Sequence, residues 1–295
     1  SVPLALVNAR MSPRSAARWR RMPGLARHVL GSFRVVLARS AADAELFAGL
    51  GAPVAPEAGD LKAGAPPLPA DPRRLAELRD ALRGRPVVLA ASTHPGEDTL
   101  VFAAHRELAA GFPGLVTIVA PRHPQRGPAV ADEARALGLR VALRSSGALP
   151  APGLDAYVAD TVGELGLFYP LANASLVGGS LVPHGGQNPL EAARLGCPIL
   201  FGPHMWNFAE PVERLLAAGG AIRLEGPAAL APALRDVLSD EGRGRALTGA
   251  AAAVADLQAG LPDRVAAALL SLLPSDRPVG LAGPGRRVGS VTNEV

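Results

Sequence analysis

Val177-Gly178-Gly179-Ser180-Leu181-Val182-Pro183-His184-Gly185-Gly186-Gln187-Asn188-Pro189-Leu190-Glu191-Ala192-Ala193 reads as an apolar strand end, a glycine-rich turn and then a helix. Glycines let backbone N–H groups approach a ligand closely, and a helix start favours negative charge. Asn188 suits an N-cap and Pro189 the first helical position. Glu191 then falls in the first turn, where a carboxylate is favoured and can accept hydrogen bonds from sugar hydroxyls. The combination points to a phosphate attached to a sugar, and so to nucleotide-sugar chemistry.

Around this stretch, short apolar runs alternate with helical patterns, which argues for parallel α/β layers. Strands are expected at 3–7, 34–38, 86–91, 115–120, 140–143, 156–159, 174–177, 198–201 and 221–223. Helices are expected at 13–30, 42–50, 73–82, 97–111, 128–137, 162–169, 189–195, 210–218, 228–238 and 243–272, the last broken near Gly260. The proline-rich segment 63–72 reads as a polyproline-like linker. Residues 1–62 before it hold only two or three βα units, the end of an incomplete first domain. Residues 73–273 hold a complete Rossmann-like domain of six or seven strands, and 274–295 read as a Gly-, Pro- and Arg-rich disordered tail. The chain opens directly in an apolar strand, so an N-terminally incomplete first domain is expected.

Composition narrows the classes. The 295 residues are 48% hydrophobic but only 4% aromatic, enough for a core built from aliphatics. Net charge is +4, nearly all of the positive charge being arginine, since Lys62 is the single lysine; a GC-rich coding sequence would give the same bias. The one cysteine, Cys197, excludes an intramolecular disulfide, and between a helix and Pro198 it reads as a buried structural thiol. No apolar run is long enough to cross a bilayer, and no secretory signal pattern is present.

Polar clusters follow several expected strands, at the edge where open α/β sheets bind ligands. Ser92-Thr93-His94 precedes Glu97, and its hydroxyls suit either a phosphate or ordinary helix capping. Arg122-His123-Pro124-Gln125-Arg126 offers guanidinium groups for a phosphate or carboxylate. Asp160-Thr161-Val162-Gly163-Glu164 opens a helix, with Gly163 permitting close approach and Glu164 in reach of a ribose or base; simple capping reads equally well. His184 and His204 lack partners at metal-ligand spacing, so no metal is expected. Eight arginines precede the first acid, Asp43; Arg14, Arg18 and Arg21 share a helix face beginning at Ser12-Pro13, with Trp19 beside them. Such a face attracts anionic headgroups or reads as a solvated surface. Nucleic acid is not expected, because no stacking platform accompanies the charge.

In this order, Leu6-Val7-Asn8-Ala9-Arg10-Met11-Ser12, Gly59-Asp60-Leu61-Lys62, Ala91-Ser92-Thr93-His94, Pro121-Arg122-His123-Pro124, Gly163-Glu164-Leu165 and Gly178-Gly179-Ser180 through Glu191-Ala192 resemble the Kdo transferases, over 1–273. The resemblance implies a GT-B glycosyltransferase fold, with a complete C-terminal Rossmann-like domain and the end of the N-terminal one. It implies CMP-Kdo as donor, the lipid A precursor as acceptor, work at the cytoplasmic face of the inner membrane through the basic N-terminal region, and no metal or cofactor. Carried over, Ser92, Thr93, His94, Arg122, His123, Gly163, Glu164, Ser180, Gly185, Gly186, Asn188 and Glu191 become candidate CMP-Kdo contacts, with Arg10 and Lys62 near the cleft. Departing CMP is expected to be stabilised by Arg122 and the amides near Gly185 and Gly186. The family's catalytic carboxylate is expected upstream of this sequence, so the chain alone is expected to bind CMP-Kdo without turning it over. Other GT-B enzymes, namely UDP-sugar transferases and UDP-sugar 2-epimerases, share such helix starts, and a non-catalytic nucleotide-binding module is the alternative outside enzymes.

Overall fold

Residues 2–55 and 59–273 are described by a computed structural model, the side chains of Lys62, Ala63 and Gln258 excepted. The chain divides into two compact units. One is Gly59–Pro262; the other joins Ser1–Ala58 with the segment beginning at Asp263.

In the latter, β1 (Ala5–Ala9) runs parallel to β2 (Val35–Ala38), with α1 (Pro13–Arg20), α2 (Pro23–Leu30) and α3 (Ala41–Ala48) around them. Ala9, Ala26, Leu30, Val36, Phe47 and Leu50 form its core. Ser12 caps α1 by accepting from the Ser15 amide, with Pro13 at the first helical position as the sequence suggests. The single helix expected over 13–30 is two helices. Pro23 has no amide to continue α1, and it disfavours helical geometry at Met22, so the chain turns and restarts. Trp19 packs against the core rather than standing free, while Arg14, Arg18 and Arg21 are exposed. Asp43 is buried and accepts from the Met11 amide (3.0 Å) and the Ser40 hydroxyl (2.8 Å).

In Gly59–Pro262, α4 (Pro72–Ala81) leads into β3 (Val87–Thr93), α5 (Glu97–Ala109), β4 (Val116–Pro121), α6 (Gly127–Ala136), β5 (Val141–Leu143), β6 (Ala156–Val158), α7 (Leu165–Phe168) and β7 (Ala174–Val177). Then come α8 (Leu190–Arg194), β8 (Ile199–Phe201), α9 (Ala209–Ala217), β9 (Ile222–Arg223), α10 (Leu230–Ser239) and α11 (Glu241–Ala259), followed by α12 (Leu261–Leu270), which runs into the other unit. All nine expected strands form, and the long terminal helix breaks at Gly260 as expected. The sheet has seven parallel strands in the order β5-β6-β4-β3-β7-β8-β9. Parallel strands covered on both faces read as continuous apolar runs, which is how they announce themselves in the sequence.

Alternation sends Val87, Leu89 and Ala91 to one face, under α4, α8, α9 and α11, and Val88 and Ala90 to the other, under α5, α6 and α10. Cys197 belongs to the first core, and burial pushes its thiol up to about 12, which removes it as a nucleophile at neutral pH. On the second face His105 lies buried against Thr117, its Nδ1 2.9 Å from the hydroxyl.

Two expectations change here. The segment 63–72 is not a free spacer: 61–64 form a 3-10 turn, Leu68 and Ala70 pack on the first core, and the Pro69 carbonyl oxygen stands 2.2 Å from where a Cβ on Gly166 would be. The helix expected over 162–169 shortens to α7, because Gly163 takes a left-handed φ of +78° and the regular turn starts only after it.

From β3 the chain passes to β4, then to the edge strand β5, returns to β6 between them, and crosses to β7 on the other side of β3. The switch point of this topology lies between β3 and β7, at their carboxyl ends, where open α/β sheets bind ligands.

Candidate functional site

The two loops at the switch point are 94–96 after β3 and 178–189 after β7. At the end of β3 the register slips and Ser92 adopts φ +58°, rare for a residue with a side chain. That twist puts the Ser92 carbonyl oxygen 2.2 Å from where a Gly178 Cβ would be, so the second loop tolerates only glycine there. The loop then folds on itself: the Gly186 amide donates to Gly179 O (2.8 Å) and the Gln187 amide to Gly178 O (3.1 Å). Asn188 caps as its sequence position suggests, its Oδ1 accepting from the Leu190 amide at 3.1 Å, although regular helix begins one residue after Pro189.

A cavity of about 470 Å³ opens beside these loops, lined on its polar side by Ser92, Arg122, Gln187, Asn188 and Glu191 and on its apolar side by Leu68, Leu165 and Phe208, with Gly163 at its edge. The Arg122 main chain is fixed, its amide donating to Thr93 O (2.9 Å), while its guanidinium makes no hydrogen bond or ion pair among the described residues. Glu191 is held above the usual carboxylate range by burial, against the pull of Asn188, Arg194 and Arg122. Asn188 Nδ2 lies 3.5 Å from its Oε1. The cavity thus offers a free cation, amide groups and a carboxylate on an apolar floor, suited to a phosphate joined to a ring with hydroxyls.

The other candidates stand elsewhere. Thr93 is fully buried and donates to Asp98 Oδ1 (2.5 Å); Ser180 is fully buried, its hydroxyl bonded to Val177 O and accepting from the Gly202 amide at 2.9 Å. Both side chains face inward and shape the site without lining it. Gly185 is covered by Trp206 and Asn207 and Gly186 by Met205, and the Gly186 amide is spent within the loop, so it cannot serve a leaving phosphate. His94 stacks on His184 (4.1 Å between ring centroids) and meets His123 edge-on (6.3 Å), with Gln187 Nε2 3.1 Å from its Nε2. Burial first, then the neighbouring His184, His123, Arg126 and Arg122, pull His94 below its ordinary value, toward the neutral form. Glu164 is committed to Arg144 through two bonds (2.9 and 3.0 Å), to Arg74 (3.2 Å) and to Thr161. Arg10 is exposed in the other unit, and the Lys62 side chain lies outside the described residues. Among the described residues no group of His, Cys, Asp or Glu is arranged to hold a metal ion.

Comparison with known proteins converges on one family. Residues 1–65 match the model of the 3-deoxy-D-manno-octulosonic-acid transferases. The C-terminal CMP-Kdo binding domain of WaaA from Acinetobacter baumannii is 31% identical and superposes with a TM-score of 0.59, covering 62% of this chain and 96% of that one. The chain belongs to the Kdo transferase family. A Kdo transferase of Bordetella pertussis is 36% identical over 91% of this chain and 63% of its own length. The chain spans between 48% and 63% of the length of such curated relatives. Anabaena HepE, crystallised with UDP-glucose, is 18% identical with a TM-score of 0.51 over 91% of this chain and 72% of its own, a likeness of GT-B fold alone.

In this chain the residue that sequence reasoning passed over is Glu97. It looked like a first-turn acid, yet it is fully buried and accepts four backbone hydrogen bonds from both switch-point loops. Its loop-178 partners lie 82 to 84 positions away, so no local pattern betrays them.

The Glu164 cluster carries a prediction. Hydrogen bonds from Arg144, opposed by burial and aided by Thr161, hold Glu164 down to about 2 against an ordinary 4.5. A lowered acid stabilises the fold fully above its ordinary value and loses that contribution as pH falls from 4.5 toward 2. Urea midpoints of the wild type are expected to drop across this window, and those of Glu164→Gln to start lower and stay flatter. Parallel curves for the two proteins would rule out the cluster as the source.

Proposed function

We propose that the switch-point cavity binds the cytidine phosphate of CMP-Kdo, and that the protein transfers Kdo from this donor to the lipid A precursor. The observation that carries the reading is the exposed Arg122 guanidinium, which lines the cavity together with Asn188 and Glu191 and makes no hydrogen bond or ion pair among the described residues. Arg122 is exposed, so its guanidinium is hydrated in the free protein and open to a bidentate, charge-assisted pair with a phosphate. Membership of the Kdo transferase family, and 31% identity to a domain described as binding CMP-Kdo, support the choice of donor.

In this reading Arg122 pairs with the phosphate and Ser92 adds its hydroxyl. Glu191 accepts from ribose hydroxyls, and the floor of Leu165 and Phe208 receives an apolar ring face. Transfer breaks the bond between the Kdo anomeric carbon and the phosphate oxygen, CMP leaving with the electron pair, and forms one from that carbon to an acceptor hydroxyl oxygen, whose proton passes to a general base. Positive charge develops on the sugar as negative charge develops on departing CMP. Arg122 gains most at that moment, which is what lowers the barrier.

The acceptor is a phosphorylated lipid, so the reaction takes place at the cytoplasmic face of the inner membrane. The α1–α2 region supports peripheral contact there. Met22, Leu25 and Val29 are exposed at helical spacing beside exposed Arg14, Arg18, Arg20 and Arg21, apolar and cationic groups of the kind that seat on anionic lipid. No helix among the described residues is long and apolar enough to cross a membrane.

Donor choice can be tested apart from turnover, by displacement of a fluorescent cytidine nucleotide. CMP-Kdo is expected to displace it and UDP-glucose to leave it bound. Displacement by UDP-glucose with none by CMP-Kdo would transfer the site to a UDP-sugar enzyme. Turnover is a separate readout: residues 1–295 alone are expected to bind the donor without adding Kdo to the lipid A precursor, and Kdo addition seen by mass spectrometry would refute that.

A further inference from the structure

Glu97 and Asp98 open α5 beneath the switch point, and both are fully buried. Adjacent buried acids are expensive unless each is answered. The answers differ. Glu97 has no ion pair among the described residues; Oε2 accepts from the amides of His94 (2.9 Å) and Gly179 (2.6 Å), Oε1 from those of Ser180 (3.0 Å) and Leu181 (2.9 Å). Asp98 accepts from the Thr93 hydroxyl (2.5 Å) and from the Arg126 guanidinium, whose other arm reaches Thr93 O at 3.2 Å.

One acid therefore ties the loop after β3 to the loop after β7, and the other ties it to the loop after β4. The amides of the glycine turn, which a sequence reading would assign to a ligand phosphate, are filled by the chain's own carboxylate. From Gly179 the linkage continues to Gly186, whose amide donates to Gly179 O, and so to Gln187 and Asn188 at the cavity. From Asp98 and Thr93 it continues to the Arg122 amide.

We infer that Glu97 and Asp98 are the positioning residues of the donor site, a two-armed clamp that sets the spacing between Arg122 on one side and Gln187 and Asn188 on the other. The inference rests on the reading of this cavity as the CMP-Kdo site. A carboxylate is needed because it accepts four amides at once from two directions. A carboxamide of the same shape turns a donor toward amide donors and opens the arm.

The test is Glu97→Gln, measured by calorimetric titration with CMP at a temperature where the variant is folded by circular dichroism. CMP affinity is expected to fall about tenfold or more, since displacements of an ångström at a preorganised site cost that much. Thr117→Val, which breaks the buried contact to His105, serves as a stability control and is expected to keep its CMP affinity. In the Glu97→Gln background, Arg122→Ala is expected to cost much less than it does alone, because the spacing that makes Arg122 useful is already lost. Full additivity, or an affinity equal to that of the control at matched stability, overturns the clamp.

If Glu97→Gln does not fold, hydrogen exchange on the wild type decides. The Gly179, Ser180 and Leu181 amides, although in a loop, are expected to exchange roughly a hundredfold more slowly than unprotected amides. Exchange at loop rates overturns the proposal. Failure of the wild type to bind CMP, with these amides protected, removes the donor reading and leaves the clamp as a feature of the fold.

Discussion

Gly178→Ala is expected to destabilise the protein by about 3 kcal/mol, the upper end of what forcing atoms into a packed site costs. A Cβ there would sit 2.2 Å from the Ser92 carbonyl oxygen, 2.5 Å from its carbon and 2.7 Å from Ala91 O. All three are main-chain atoms of β3 or its bulge, and none can swing aside as a side chain would. The Gly178 amide itself donates to Ala91 O at 2.8 Å, so relief by separating the strands breaks the hydrogen bond that joins β3 to the loop after β7. The effect is steric rather than conformational, since Gly178 is not among the left-handed glycines. Gly84→Ala is the matched contrast: φ is +73° with nothing within 4 Å of the new atom, so only about 1 kcal/mol of backbone strain is expected. Urea unfolding followed by circular dichroism separates the two. Equal losses would mean that the tight contact at Ser92 is absent.

The second large effect is on binding. Arg122→Ala is expected to weaken CMP by roughly 10- to 100-fold, the worth of a hydrogen bond to a charged group at about 1.5–3 kcal/mol. Stability should change by less than about 0.5 kcal/mol, because Arg122 is exposed, its guanidinium makes no hydrogen bond or ion pair among the described residues, and the main-chain bond to Thr93 survives. Arg126, four positions on, should behave in the opposite sense. Its partner Asp98 is fully buried, so Arg126→Ala leaves an unpaired charge in the core and costs on the order of 3 kcal/mol in stability. Calorimetric titration paired with urea unfolding reads both quantities on each variant. A stable Arg122→Ala protein with undiminished CMP affinity would remove Arg122 from the site.

How far the sequence could be read follows from the range of the interactions. Strands buried on both faces are apolar runs, a local signal, and all nine were found. Asn188 capping is local too, and its hydrogen bond to Leu190 forms as its position suggests. Ser92, Arg122, Gly163, Asn188 and Glu191 were legible because residues just after parallel strands meet at one edge of the sheet, whatever the details.

What stayed hidden depends on distant partners. Ser92 in a left-handed conformation and Glu97 gripping the turn at Gly179 are set by packing between loops more than 80 positions apart. Thr93 and Ser180 carried the right chemistry for a ligand, but the bulge at β3 and the turn after β7 point them into the protein. Pro23 was a visible break within a convincing helical pattern, and its steric demand prevails over the periodicity around it.

The central claim is that the cavity at the β3–β7 switch point receives a cytidine monophosphate donor. Amide NMR of the wild type, titrated with CMP and separately with UDP, tests it most directly. Saturating shifts at Ser92, Arg122, Gly163, Gln187 and Glu191 with CMP, and none of comparable size with UDP, are the predicted result. Shifts confined to other residues, or saturation by UDP alone, would contradict it.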